Sequence, residues 1–123
     1  MNSNGISYSE CTLTLDQIIA PDRHSIFFGR VSGDSMNELG IFDGDLLVVD
    51  RGVEPKDQDV IVANLNGEFV CKILDIENRM LVSANPSYKP VYINECDVFS
   101  FEGVVTSSVR VFRSRSGIRS KLR

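Results

Sequence analysis

The chain has 123 residues, 42% of them hydrophobic and 24% charged, with a net charge of −4. That is enough chain for one domain with a real core, with no room for a second fold, and the apolar content excludes a disordered polypeptide. No apolar run approaches the roughly 18 residues of a membrane helix, the N-terminus lacks the pattern of a secretory signal, and three cysteines without metal-like spacing read as reduced thiols in a cytoplasmic protein.

In chain order, residues 1–12 read as a flexible arm, because Asn2, Ser3, Asn4, Gly5, Ser7 and Ser9 bury little surface. A single domain is expected over 13–112. Thr14 or Asp16 can cap a short turn of helix carrying Leu15, Ile18 and Ile19, which Pro21 ends. Ile26 to Val31 is a strand interrupted by Gly29, and it leads into the polar turn Ser32-Gly33-Asp34-Ser35-Met36. Met36 to Leu39 can continue as a helical turn that aims N–H groups towards Ser35. Asp43-Gly44-Asp45 is a turn, Leu46 to Val49 a buried strand, and Val60 to Leu65 another. Asn66-Gly67 is the pair favoured at the two positive-φ positions of a type I′ hairpin, so it sets the strand carrying Lys72 against Val60 to Leu65. A second hairpin is expected at Glu77-Asn78-Arg79 into Met80 to Ser83, then a rigid loop over Asn85 to Pro90 and a strand over Val91 to Ile93. Val98 to Val105, with Gly103 as a bulge, and Ser108 to Phe112 complete the strands. Many short strands with little helix predict a mainly β fold, a curled sheet or partial barrel.

Residues 113–123 form a basic tail. Charge divides sharply: all 17 acids lie within 1–109 beside seven basic residues, whereas 110–123 hold six basic residues and no acid. The body should therefore repel DNA, and only the tail could bind it electrostatically; a solvated, mobile terminus is the plainer reading.

Lys72 lies in Gly67-Glu68-Phe69-Val70-Cys71-Lys72-Ile73-Leu74, where alternation puts Val70, Lys72 and Leu74 on one face and Phe69, Cys71 and Ile73 on the other. A free lysine with a pKa of about 10.4 is neutral in only about one molecule in 2500 at pH 7. Bringing it to roughly 7 needs about 4 kcal/mol of disfavoured charge, which burial can supply. Such an amine could take the proton of a serine hydroxyl. Ser35 is a plausible recipient, since Gly33 lets the backbone approach a substrate and the N–H groups of Asp34 and Ser35 are candidates for an oxyanion hole. Taken singly, Ser35 also reads as a turn serine and Lys72 as an edge-strand charge. His24, the sole histidine, reads as an exposed loop residue, and Asp34 with Glu38 as solvated acids rather than a catalytic pair. No residues suggest a metal or cofactor site.

The company these residues keep changes the odds. Ser32 to Met36, Gly40 to Asp50, Gly67-Glu68-Phe69 leading to Lys72, Asn85-Pro86-Ser87-Tyr88-Lys89-Pro90-Val91, and Phe101-Glu102-Gly103-Val104-Val105 resemble, in order, the self-cleaving domain of UmuD and LexA proteins, the peptidase S24-like family. The resemblance runs from about Tyr8 to Phe112. It implies that Ser35 is the nucleophile and Lys72 the general base of a dyad that cuts the protein's own N-terminal arm when a RecA–DNA filament forms. No helix-turn-helix precedes Tyr8, and Asn4-Gly5 matches the family's cleavage site poorly. The chain is therefore similar to the processed UmuD-prime form. That form implies a homodimer, a UmuC-like Y-family DNA polymerase as partner in a polymerase V type assembly, and a full-length UmuD-like protein as substrate in trans. A LexA-like or phage repressor fragment is the alternative; a signal-peptidase-like enzyme is disfavoured for want of a membrane segment.

Overall fold

The computed structural model describes residues 14–19 and 24–113. The arm over 1–12 and the tail beyond 113 lie outside the described residues, as does Cys11. Seven strands form one open antiparallel sheet: β1 (Ile26–Arg30), β2 (Leu46–Asp50), β3 (Val60–Leu65), β4 (Glu68–Asp75), β5 (Met80–Val82), β6 (Val91–Tyr92) and β7 (Phe99–Val109), in the spatial order β1-β2-β7-β3-β4-β5-β6. The expected mainly β, single curled sheet is what the chain builds, with little helix. The longer helical piece, α1 (Leu15–Ile19), starts on a reciprocal cap: the Gln17 N–H donates to Thr14 Oγ1 at 3.2 Å and the Thr14 N–H to Gln17 Oε1 at 2.8 Å. Thr14, not Asp16, is the cap. No helix among the described residues is long and apolar enough to cross a membrane.

The Asn66-Gly67 hairpin forms as its sequence dictates. Both residues have positive φ, 54° and 89°, and the register it sets pairs Leu65 with Glu68 and Ile61 with Lys72. Asn66 is further anchored by the Val98 N–H, which donates to its Oδ1, and by its own Nδ2, which donates to Asp97. The turn that positions the lysine strand is thus held from outside the hairpin as well.

One expectation fails at β7. Where two strands are expected, Val98 to Val105 and Ser108 to Phe112, the structure has one of 11 residues, Phe99–Val109, lying between β2 and β3. The polar run Thr106-Ser107-Ser108 resembles a break, but it belongs to a strand whose pairing is re-aimed by two bulges. Partners step from Val62↔Gly103 to Ala63↔Phe101, leaving Glu102 extra, and from Val48↔Ser107 to Val49↔Val105, leaving Thr106 extra. Bulges bend and twist a strand, which lets β7 pair with β3 along its first half and β2 along its second.

Gly103 beside the first bulge is required by close approach. A Cβ there would sit 2.6 Å from Val49 Cγ1 and 3.0 Å from the Asp50 carbonyl oxygen. Backbone on one side cannot yield as a side chain can. Gly103→Ala is therefore expected to cost about 2 kcal/mol, by the usual penalty for overpacking, read as a lower urea midpoint at unchanged m-value.

Apolar packing covers both sheet faces. One cluster joins Val31, Met36, Ile41, Leu47, Val49, Val62 and Cys71; the other joins Ile61, Ala63, Leu81 and Val104, with Val70 and Leu74 packed against it. The alternation expected for β4 is visible here, since Val70 and Leu74 fall with one cluster and Cys71 and Ile73 with the other. Arg110, grouped with the tail on charge alone, belongs to the body. Its guanidinium makes a two-pronged pair with buried Asp45, Nε to Oδ1 at 2.8 Å and Nη2 to Oδ2 at 2.9 Å, and donates also to the Gly40 carbonyl.

Candidate active site

The turn carrying Ser35 is built between two anchors. Met36 is 2% exposed in the first core cluster, and burying a side chain of that size contributes roughly 1.5–3 kcal/mol. On the other side Gly33, at φ 96°, donates its N–H to Asp43 Oδ1 at 2.9 Å. That φ favours glycine and brings the chain round so that Ser35 faces outward while Met36 faces in. The expected helical turn after Ser35 is a three-residue 3-10 segment, Asn37–Leu39, without a side-chain cap at Met36. So short a segment has little dipole, and any stabilisation of charge near Ser35 must come from individual N–H groups. The amides of Asp34 and Ser35 donate to no backbone carbonyl among the described residues.

Lys72 reaches the same place from β4. Glu68, Val70 and Lys72 alternate along one face of that strand, and with Ser32, Gly33, Asp34, Ser35 and Tyr88 they line a cleft of about 280 Å³. Ser35 and Lys72, far apart in sequence, thus face one cavity, and both are half-buried. Burial holds the Lys72 amine below its ordinary pKa of 10.5, opposed by the charges of Cys71 and Glu68. Cys71 opposes only as a thiolate. Its own burial pushes that thiol up to about 12, so at neutral pH it is uncharged and Glu68 is the acid left to oppose the shift. The same protonation makes Cys71 a poor nucleophile despite its place beside Lys72.

Tyr88 lines the cleft from another loop. Its ring centroid lies 5.5 Å from Lys72 Nζ, and its hydroxyl donates to Asp34 Oδ1 at 2.5 Å, a bond that raises the phenol's pKa. Sequence reading places Tyr88 inside a motif but gives it no role, and it leaves Val70 and Glu68 as ordinary strand residues. The alternation of β4 carries a signal for those two, since any residue two or four positions before Lys72 shares its face. Tyr88 has no such signal, because it comes from another loop.

The remaining candidates fall elsewhere. His24 is exposed in the turn before β1 and is not among the residues lining the cleft. Asp34 lines the cleft and Glu38 does not; the latter's N–H donates to the Ala84 carbonyl at 2.9 Å. The two acids do not act as a pair around the cavity.

Comparison with known proteins gives one consistent answer. The family model described as Peptidase S24-like matches residues 2–106. SamA of Salmonella typhimurium is 37% identical over 113 residues, covering 91% of this chain and 79% of SamA. ImpA of Escherichia coli is 37% identical over 107 residues, covering 85% of this chain and 72% of ImpA. LexA repressor 2 of Pseudomonas syringae pv. tomato is 41% identical over 83 residues, 66% of this chain but 41% of the repressor.

Proposed function

Because this chain belongs to the Peptidase S24-like family, we propose that it is a serine peptidase whose nucleophile is Ser35 and whose general base is Lys72. The observation that carries the reading is the meeting of these two side chains in one cleft, with burial favouring the neutral amine. Neutral Lys72 takes the Ser35 hydroxyl proton as Oγ attacks the scissile carbonyl carbon. The oxygen of that carbonyl gains charge opposite the amides of Asp34 and Ser35. Lys72, now an ammonium, returns the proton to the leaving amine, and a water activated by the same amine releases the acyl group from Ser35.

The substrate in this reading is the extended N-terminal arm of a full-length UmuD-like protein, cut in trans when a RecA–DNA filament is present. The wider role is that of a cytoplasmic, homodimeric SOS-response accessory subunit of an error-prone, UmuC-containing translesion polymerase. The match to SamA covers 91% of this chain, against 66 to 83% for LexA repressors, which favours this over a detached repressor domain. The strong LexA similarity keeps the repressor reading in view, and a longer reading frame encoding an upstream helix-turn-helix would establish it.

The direct test uses a full-length relative whose own active serine has been replaced, incubated at high pH with this chain. Wild type is expected to cleave its arm and Ser35→Ala to leave it intact. Cleavage by Ser35→Ala at the wild-type rate would remove Ser35 from the chemistry. Co-purification with a Y-family polymerase, followed by primer extension past an abasic site with RecA filaments, tests the accessory role; no association and no bypass would sink it.

A further inference from the structure

We propose that Tyr88 is a positioning residue, one that ties the serine turn and the lysine amine into a single geometry through two different parts of its side chain. This deepens the Ser35–Lys72 reading and rests on it. The hydroxyl holds Asp34, the residue immediately before Ser35, and the ring face lies against the Lys72 amine. A tyrosine suits both tasks, because its π-face attracts a cation while the hydroxyl lies at the far edge of the same rigid plane.

The loop bearing Tyr88 is built to hold that side chain still. Asn85 Oδ1 accepts the Ser87 N–H at 2.9 Å, and the Tyr88 N–H donates to the Asn85 carbonyl at 3.1 Å, so the segment is a closed turn. The same loop grips the serine turn twice more. Asn85 Nδ2 donates to the Asp34 carbonyl at 2.9 Å, and the Ala84 carbonyl accepts the Glu38 N–H at 2.9 Å. Three bonds thus run from residues 84–88 to the segment that flanks Ser35. Only Tyr88 also reaches Lys72, so only Tyr88 can register the nucleophile against the base.

The two halves of the side chain make separable predictions. Tyr88→Phe keeps the ring and removes the bond to Asp34, and it is expected to lower trans-cleavage about tenfold while leaving the Lys72 titration in place. Tyr88→Leu removes both, and should also move the Lys72 titration to lower pH by about half a unit, because a ring face stabilises the ammonium. The charged and titratable groups around Lys72 are otherwise unchanged: Glu68 on the same face of β4, Cys71 on the opposite face, and Asp34 on the turn. Asp34→Ala should cost as much as Tyr88→Phe, and the double variant no more than either, since both break one bond.

The experiment pairs cleavage rates against pH with an NMR titration of the Lys72 side chain, on chains first shown by circular dichroism to be folded. Rates within twofold of wild type in both Tyr88 variants, with an unmoved Lys72 titration, would overturn the proposal. Additive losses in the Asp34→Ala and Tyr88→Phe double variant would overturn the shared bond. If wild type cleaves nothing, the peptidase reading fails, and the titration still decides whether Tyr88 is coupled to Lys72: a shift in Tyr88→Leu alone upholds the coupling, and none overturns it. Should Tyr88→Leu fail to fold, Tyr88→Phe and the double-variant comparison decide it.

Discussion

Lys72→Arg is expected to abolish cleavage as fully as Lys72→Ala, a loss of about 10³-fold in rate, within the usual range for removing a general base. A guanidinium keeps the charge and the length but does not give up its proton at any working pH, so a lysine that served through its charge would tolerate the change and one that served as a base would not. The pH profile separates the same alternatives. If neutral Lys72 is the reacting form, the wild-type rate rises with pH and levels off at a midpoint below 10.5, since burial holds the amine under its ordinary value. A flat profile, or an arginine variant with appreciable activity, would remove Lys72 from the role of base.

The shifted amine has a consequence for stability whose sign is fixed by linkage. A lysine whose pKa falls on folding binds fewer protons in the native state than in the unfolded chain between the two values, so stability rises with pH across that window. Below the folded value the cost of burying the charge is fully present. Lys72→Met, which keeps the apolar stem, is therefore expected to melt at a higher temperature than wild type at neutral pH while being inactive. A lower melting temperature at neutral pH would mean that Glu68 and the Tyr88 ring more than compensate the buried ammonium.

Much of the scaffold is legible because it rests on local rules. Asn66-Gly67 demands a type I′ turn, and that turn alone fixes which face of β4 carries Lys72. Thr14 and Gln17 spell out their own cap. Interactions between distant segments are not legible in this way. The sequence reads as two strands, one ending at Val105 and one beginning at Ser108, where the structure has a single strand, because the bulge at Thr106 is defined only by the neighbouring strand. Tyr88 meets Asp34, which comes from the turn after β1, far away in the sequence. The Ser35–Lys72 pairing lies in between: either residue alone is unremarkable in sequence, and the resemblance to a family, not periodicity, brought them together. In the fold both residues line one cleft.

Arg110 shows the same limit, and its replacement is expected to lower stability in a pH-dependent way. Asp45 is 2% exposed and accepts both prongs of the guanidinium as well as the Phe42 N–H at 2.8 Å. The Arg110 hydrogen bond first, and the Phe42 N–H after it, hold the carboxyl below its ordinary pKa of 3.8 against the opposing pull of burial. Arg110→Met keeps apolar contact with the Phe42 ring but strands the carboxylate. The arginine side chain is 45% exposed, so solvent screening makes the loss smaller than for a fully buried pair, and it is expected as a lower urea midpoint at neutral pH. The sign of the pH dependence follows from the lowered pKa: the contribution is complete above the unfolded carboxyl's value of about 4 and is lost as pH falls through the folded value. Urea melts of the two proteins should therefore differ most near pH 7 and converge under acid. The loss also reaches the cleft, because the loop that Arg110 clamps at Gly40 and Asp45 supplies Asp43, the acceptor for the Gly33 N–H. Cleavage by Arg110→Met should fall even where the protein remains folded, and a full wild-type rate under those conditions would confine Arg110 to stability alone.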